Sequence, residues 1–475
     1  MTKSMMKDFA TKTRRRVAGI LALSLIALLG ACSATDTLLE ASDPDLIDPA
    51  DAQTAEGALA LYFGALGRLR TMTGGGESAW LFGGLLADEW STSSTFVQND
   101  EVDQRSAQTN NGTVTTIFRN IFRTRTSSNQ AIAALKTFRP TETRRLAEMY
   151  FARGFAEMQA AQDFCNGIPL SDGNVFEFGE IVYGTPKPVA DVFRSSVASY
   201  DSALSIVTGT DTGSVSVRNA SRIGKARAQL GLGLIAEAAA TVAGIPTTFT
   251  YNNTFATTSG DNILWSQPAS ATRYTVADSL EGNARNLLVR NAIPFFSARD
   301  PRVPVAYTIA SNRRDTVKAQ DGLTFIRRTT LWARTTPVPV VSGLDARLIE
   351  AEGRLKANDI PGMLDILNAL RAAPPKLGEV QPGVMASLTD PGTLDAQVNL
   401  YFREKAFWTF SRGQRLGDLR RLIRQYGRTP ENTFPVGIHY RGGTYGTDVN
   451  LPVPQAEQNN PNVGTDRATC TDRNA

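Results

Sequence analysis

Residues 143–164 read TRRLAEMYFARGFAEMQAAQDF, and this stretch decides the fold class of the 475-residue chain. Its apolar residues recur at i, i+3, i+4 and i+7, the spacing that places them on one face of an α-helix. Charged residues from Arg144 to Glu157 take the opposite face. Ala147, Gly154 and Ala161 recur every seven residues and leave room for a partner helix at close range. The stretch therefore predicts a helix that packs tightly against another helix.

Similar apolar spacing continues on both sides of this stretch. A short turn at residues 358–361 joins two of the later segments and predicts an antiparallel helix hairpin. The predicted helices cover residues 51–70, 79–89, 114–138, 189–204, 222–242 (capped by Ser221), 344–355 and 363–370.

Residues 245–340 interrupt the helical pattern. Their threonine-rich and β-branched runs, such as 247–251 and 329–332, predict short strands and loops. A large irregular insertion on a helical scaffold is a common place for binding residues. The predicted fold class is therefore mainly α, a tetratricopeptide-like superhelix of helix pairs with a large irregular insertion of loops and short strands. The chain has no clean period of about 34 residues, so any repeats are degenerate.

The N-terminal segment resembles a lipoprotein leader. Arg14-Arg15-Arg16 precede an apolar run at 17–29 that is too short to span a bilayer comfortably, and Leu29-Gly30-Ala31-Cys32 has the form of a bacterial lipobox. We expect residues 1–31 to be removed as a signal peptide and Cys32 to be lipidated. The alternative is an ordinary secretory signal with a chance cysteine. The absence of Asp directly after Cys32 favours delivery to the outer membrane.

Removal of this leader changes the net charge of the chain. Six basic residues and one acid lie in residues 1–31, and the whole chain carries a net charge of +4, so the remainder is close to neutral and no nucleic-acid partner is expected.

Cys165 and Cys470 are the cysteines that remain after Cys32. We predict that they form a disulfide that attaches the C-terminal tail to an early helix. Two unrelated thiols are the alternative.

The single histidine, His439, argues against many classes of enzyme. No G-x-S-x-G elbow accompanies it, and the chain has no C-x-x-C or H-E-x-x-H spacing, P-loop or G-x-G-x-x-G after a strand. We therefore expect no catalytic residue, no metal and no cofactor, and we interpret His439 as structural.

Several short motifs follow one another along the mature chain. They are Ala87-Asp88-Glu89, residues 167–170 (GIPL), Asp300-Pro301-Arg302, residues 345–352 (DARLIEAE) with 367–371 (LNALR), residues 403–407 (REKAF) with 415–421 (RLGDLRR), and residues 451–457 (LPVPQAE) with 460–462 (NPN). In type and order they resemble the motifs of the SusD/RagB-like outer-membrane lipoproteins of nutrient uptake. Each motif alone is weak, but together they cover most of the mature chain.

The charged residues of these motifs have a structural interpretation. An Arg–carboxylate pair can hold two helices in register, so we expect ion pairs and helix-end hydrogen bonds rather than catalytic acids, with partner contact as the alternative. The signature residues are Arg347, Glu350, Glu352, Arg403, Glu404, Arg415, Asp418 and Arg420.

The resemblance implies a function and a location. Residues 32–475 would form one SusD-like domain, with an N-terminal helical part at 32–244, the insertion at 245–340, and a C-terminal helical part and loop-rich tail at 341–475. The protein would be a non-enzymatic lipoprotein of the outer membrane that faces the cell exterior. It would capture an oligosaccharide or a peptide and act as a lid on a SusC-like TonB-dependent transporter. The alternatives are a structural lid without ligand affinity and a carboxylate-dependent surface hydrolase.

Sugar binding of this kind depends on aromatic side chains whose faces stack on sugar rings. Trp265 and Tyr274 lie in the insertion, Trp90 begins a Ser/Thr-rich loop, and Trp332 is a weaker candidate. Burial in the core is the alternative for each of them. We assign Trp408, which lies within the signature helix, to the core.

Overall fold

Helices account for most of the regular structure in residues 52–173, 181–282, 285–311 and 315–463, which are the residues that the computed structural model describes. In chain order the helices are α1 (Ala55–Gly74), α2 (Ala79–Ala87), α3 (Val97–Asp103), α4 (Gly112–Phe138), α5 (Thr143–Asp163), α6 (Val189–Ile206), α7 (Thr212–Gly231), α8 (Ile235–Val242), α9 (Ile263–Ser266), α10 (Gly343–Lys356), α11 (Ile360–Ala372), α12 (Leu394–Trp408) and α13 (Arg415–Tyr426).

The central helix α5 forms where its periodicity predicts and packs as closely as its small residues allow. Phe151, Phe155 and Met158 are fully buried. Gly154 lies against α6, where an added Cβ would stand 3.1 Å from the Cβ of Ser199 and 3.2 Å from the Ser196 carbonyl oxygen. A larger residue at this position would push the two helices apart.

The long helices form a continuous series in which each packs on the next. The order of contact is α1, α4, α5, α6, α7, α8, α10 and α11. Side chains at the helix starts satisfy the first free N–H groups, as when Ser342 and Asp345 form a reciprocal capping box at α10. The predicted mainly α class, a superhelix of helix pairs, is confirmed.

One predicted helix boundary is wrong. Ser221 is not a cap but a buried residue inside α7. This helix begins at Thr212, ten residues before the predicted start, and Asp211 is its N-cap. Asp211 Oδ1 accepts a hydrogen bond from the Ser214 amide at 3.0 Å. The predicted single helix over 222–242 breaks at Gly233, which adopts a φ of +79° that ends α7 and lets α8 start in a new direction. Because the apolar pattern continues across this break, the sequence pattern does not indicate that one helix ends and another begins there.

Short antiparallel sheets fill the predicted insertion and connect it to the scaffold. The strands are β1 (Trp90–Thr92), β2 (Ile168–Pro169), β3 (Asp172–Gly173), β4 (Ile181–Val182), β5 (Pro186–Lys187), β6 (Thr250–Asn253), β7 (Tyr274–Val276), β8 (Leu280–Glu281), β9 (Leu287–Arg290), β10 (Val305–Tyr307), β11 (Arg327–Thr329), β12 (Val338–Ser342) and β13 (Val436–Gly437). They pair as β1–β7, β2–β5, β3–β4, β6–β12, β10–β11 and β8–β9–β13. Because β1 pairs with β7, the insertion is hydrogen-bonded directly to the N-terminal part of the chain.

Some sequence predictions fall outside the described residues. These are the signal peptide at 1–31, the lipidated Cys32 and the tail residue Cys470. Cys165 is buried and disulfide-bonded. Its pairing with Cys470 stays a prediction. Within the described residues, no helix is both long enough and apolar enough to cross a membrane.

Candidate functional site

The charged motif residues meet in a buried network between α10, α12 and α13. Glu404 accepts from both terminal nitrogens of Arg302, at 2.7 and 3.1 Å, and from Arg371 at 2.8 Å. Arg302 also donates to Asp300 at 2.8 and 2.7 Å. The separate sequence motifs at 300–302 and 403–407 are therefore two halves of one contact.

A second buried carboxylate organises the other end of this network. Glu352 accepts from Arg421, from the Tyr426 hydroxyl at 2.7 Å and from the Tyr401 hydroxyl at 3.1 Å. Arg421 also pairs with Asp418, which lies 2.6 Å from the Nζ of Lys405. The network therefore includes the Lys405 ammonium group. The network ties three helices to one another, and its carboxylates Glu352, Glu404 and Asp418 are buried.

The remaining signature residues join α10 and α13 to the rest of the fold. Arg415 grips Asp88 with two hydrogen bonds of 2.8 and 3.0 Å. Arg420 donates to the carbonyls of Ala161 and Phe164 at the C-terminal end of α5, both at 3.0 Å. A cation at the last carbonyls of a helix is favourable because these groups have no partner in the helix. Arg347 pairs with Glu350 at 2.7 Å on the surface of α10.

Arg403 differs from the other signature residues in having an exposed side chain. This side chain lies over the Phe407 ring, with 5.2 Å from its Cζ to the ring centroid. It forms no ion pair with any carboxylate of the described residues.

Two of the predicted ligand-binding aromatics are core residues. Trp90 is 1% exposed and Tyr274 is 0% exposed. The Tyr274 hydroxyl accepts from Asn99 at 3.0 Å and contacts Glu77 Oε2 at 3.3 Å. All three residues of β1 and all three of β7 are buried, so these strands are covered on both faces and leave no ring surface for a ligand. This placement corrects the expectation for Trp90 and Tyr274.

Of the other two candidates, Trp332 is also buried in the core and Trp265 is half-buried. Trp332 is 5% exposed, donates from Nε1 to Ser411 at 2.9 Å and lines a mostly apolar cleft of about 310 Å³ with Phe407, Trp408 and Phe410. Trp265 lies half-buried on α9 and packs against the core. Neither offers a broad free ring face.

The pairing of β1 with β7 instead brings together the loops that adjoin these strands. Residues 93–97 follow β1, and residues 272–273 precede β7. The Ser93 amide donates to the Arg273 carbonyl at 2.8 Å, and the Ser93 hydroxyl donates to the Thr272 carbonyl at 3.1 Å. The ladder thus continues into the loops and fixes their relative positions.

Two further segments complete this loop cluster. The Gln320 side-chain oxygen accepts from the Thr95 amide at 3.3 Å, and the Asp321 amide donates to the Ser93 carbonyl at 3.2 Å. The Arg441 guanidinium donates to the Ser94 carbonyl and lies 3.3 Å from an Asp321 oxygen. We call residues 93–97, 272–273, 320–321 and 441 the loop platform.

Phe96 is the aromatic side chain that this platform presents to solvent. It is 43% exposed, and the Arg273 guanidinium lies 4.8 Å from its ring centroid. Arg273 is held in turn near Glu77, with 4.0 Å between Nη1 and Oε1. The platform therefore combines a rigid exposed ring with guanidinium and amide donors.

Burial shapes the electrostatics beneath the ring. It raises the pKa of Glu77 above its ordinary value, against the opposing effects of the Tyr274 hydrogen bond and of Arg273. Burial likewise raises the pKa of Asp100, which Arg441 partly offsets. The described residues contain no group of three or more His, Cys, Asp or Glu side chains placed to hold a metal ion.

The sequence analysis named the Ser/Thr-rich loop of the platform but did not name its exposed ring. It noted the Ser/Thr-rich segment that Trp90 begins, whereas the exposed aromatic is Phe96, six residues later. An aromatic isolated among polar residues, as in Ser94-Thr95-Phe96, is the signal that could have identified it. Arg273 carries no comparable signal.

Comparison with known proteins identifies the fold. No protein-family model matches the chain. No curated protein matches its sequence either. Among solved structures, a SusD-like carbohydrate binding protein from Bacteroides fragilis NCTC 9343 aligns with a TM-score of 0.60 at 14% identity over 86% of this chain and 99% of that one. One from Bacteroides vulgatus ATCC 8482 aligns at 0.56 and 13% identity over 78% and 83%. A laminarin binding SusD-like protein aligns at 0.54 and 17% identity over 86% and 98%.

Proposed function

From the SusD-like fold of this chain, we propose that the protein is a SusD/RagB-like nutrient-binding lipoprotein that captures a glycan on its loop platform. The observation that carries the proposal is Phe96, an exposed ring on a loop held by backbone hydrogen bonds to two distant segments. Two of the similar structures are described as carbohydrate binding, and a third as laminarin binding.

The chemistry of the platform suits a sugar. The C–H face of a pyranose packs on an aromatic ring, and the hydroxyls around it need hydrogen-bond partners. Phe96 supplies the ring, while Arg273 and Gln320 lie close enough to supply donors and an acceptor at its edge. Since the loops are already ordered, little conformational entropy is lost on binding.

Capture then leads to transport. We propose that the protein is lipidated at Cys32, lies on the outer surface of the outer membrane and closes as a lid over a SusC-like TonB-dependent transporter. Cys32→Ala should release the protein from membranes. Fractionation would test this point, and unchanged membrane association would refute it.

The proposed role is binding without catalysis. The alternative of a carboxylate-dependent hydrolase would need an acid at the platform, where Asp321 pairs with Arg441 and Glu77 lies 4.0 Å from Arg273. The alternative of a lid without its own affinity predicts no binding to any glycan or peptide. Analysis of the products formed from each bound ligand distinguishes a binding protein from a hydrolase. The binding measurement itself distinguishes it from a lid without ligand affinity.

The test uses calorimetry of the detergent-solubilised protein with laminarin oligosaccharides and other neutral glucan oligosaccharides. We expect saturable binding without turnover, and Phe96→Ala should weaken it at least about tenfold, or about 1.4 kcal/mol. Phe63→Ala is the matched control, because Phe63 is a 59% exposed aromatic on α1 outside the platform. Equal affinity of wild type and Phe96→Ala, with both folded, would contradict the proposed site.

A further inference from the structure

A second cleft of about 330 Å³ opens between α12, α13 and the segment that follows β9. It shares no residue with the loop platform. Its walls include Asn291, Asn399, Asn432 and Thr433, with Arg403, Arg415 and Arg428 among them. A volume of this size accommodates one or two sugar rings.

The amide side chains of the cleft are fixed in orientation. Asn291 donates to the carbonyls of Glu431 and Phe434 at 2.8 and 2.9 Å. Asn399 accepts from Arg428 at 3.0 Å, and the Asn432 oxygen accepts from the Thr429 amide at 2.9 Å. Among the described residues, the Asn432 amide nitrogen and the Asn291 side-chain oxygen make no hydrogen bond. One donor and one acceptor are thus left for hydroxyl groups.

The charges of the cleft do not balance. Arg415 is neutralised by Asp88, and Arg428 lies 2.7 Å from Asp395. Arg403 has no carboxylate within ion-pair distance among the described residues, in contrast to the other two arginines that line the cleft. The Arg403 guanidinium therefore lies at the mouth of the cleft without a carboxylate paired to it among the described residues.

We propose that this cleft binds an acidic sugar residue, with the sugar carboxylate on Arg403 and its hydroxyls on the amides and Thr433. A guanidinium presents parallel N–H groups that match the two oxygens of a carboxylate. The Phe407 ring beneath Arg403 supports the guanidinium in place. This inference rests on the proposed function only in taking a saccharide as the ligand, and it adds a second, charge-selective subsite.

The experiment is calorimetry of the detergent-solubilised protein with oligogalacturonides and with the fully methyl-esterified form of the same oligosaccharides. We expect binding of the free acid that weakens with added salt, and no binding of the neutral ester. Arg403→Gln should weaken binding of the acid at least about tenfold and leave laminarin binding unchanged. It should not perturb folding, since Arg403 holds no ion pair in the described structure.

Arg194→Gln is the matched control. Arg194 is an exposed arginine on α6, paired with Asp191, and does not line the cleft. Equal binding of the acid by wild type and Arg403→Gln would overturn the inference. So would binding of polyglutamate peptides in place of oligogalacturonides, which would identify a peptide site. Laminarin binding without oligogalacturonide binding would refute the acidic subsite alone, whereas loss of both ligands from the wild type would also refute the proposed function.

Discussion

The buried ion-pair network and the loop platform use the same side-chain types under opposite conditions. In the network, Arg302 is almost fully buried and engages the carboxylates of both Asp300 and Glu404. On the platform, Arg273 is partly exposed, lies over Phe96 and has its nearest carboxylate oxygen at 4.0 Å. An arginine with complete partners holds helices together, while an arginine with incomplete partners at the surface is available to a ligand. Residue type alone does not distinguish the two roles.

The largest effect should come from breaking the network. Glu352→Ala removes a carboxylate partner of Arg421 and the acceptor of two tyrosine hydroxyls, and it leaves the buried Arg421 and Lys405 cations to share Asp418. We expect a loss of about 3–5 kcal/mol in the free energy of unfolding, measured by denaturant titration. Glu350→Ala is the control on the same helix, and its half-buried pair with Arg347 should cost about 1 kcal/mol or less. Equal losses for the two variants would contradict this view of the network.

The next largest effect should be a pH dependence of the free energy of unfolding that comes from the buried core and not from the loop platform. Burial raises the pKa of Glu89 from 4.5 to about 8, although the Ser411 amide donates to it at 2.8 Å. The folded protein therefore keeps this proton where the unfolded chain has lost it. The contribution of Glu89 to stability is full below about pH 4.5 and declines as the pH rises towards 8.

The limiting slope of this decline is about 1.4 kcal/mol per pH unit. Glu89→Gln should flatten the pH dependence of the melting temperature between pH 5 and pH 8 (roughly the interval between the two pKa values). Glycan affinity, which the proposed function assigns to the platform, should follow wild type wherever both proteins are folded. An unchanged melting profile in the variant would mean that Glu89 is ionised in the folded state.

The smallest effect should come from Tyr274, which lies beneath the platform without facing it. Tyr274→Phe removes the hydroxyl that bonds Asn99 and contacts Glu77. We expect a loss of about 1 kcal/mol in the free energy of unfolding and an affinity for laminarin oligosaccharides within about twofold of wild type. A large loss of affinity with unchanged stability would restore Tyr274 as a ligand-binding residue.

Local sequence pattern predicted the helices well, whereas the loop platform depends on contacts that no local pattern contains. The periodicity of residues 143–164 lies within one helix, so a single sequence window contains it. The break at Gly233 was missed because apolar spacing continues across it. The sequence left burial and ligand binding both open for Trp90 because β1 is covered on both faces, so no polar–apolar alternation marks an inner side. Phe96 becomes part of a site only through residues that pair with its loop from far along the chain.

That distance has a consequence for the order of assembly. Ser93 and Thr272 are 179 residues apart in sequence, and closing a loop of that length costs on the order of 4–5 kcal/mol in chain entropy. Local helix pairs recover such costs early in folding, whereas this long-range pairing can form only after most of the scaffold exists. The platform is therefore a late product of folding. If the platform binds sugar as proposed, an incompletely folded chain would have no binding surface, and binding would report completed folding.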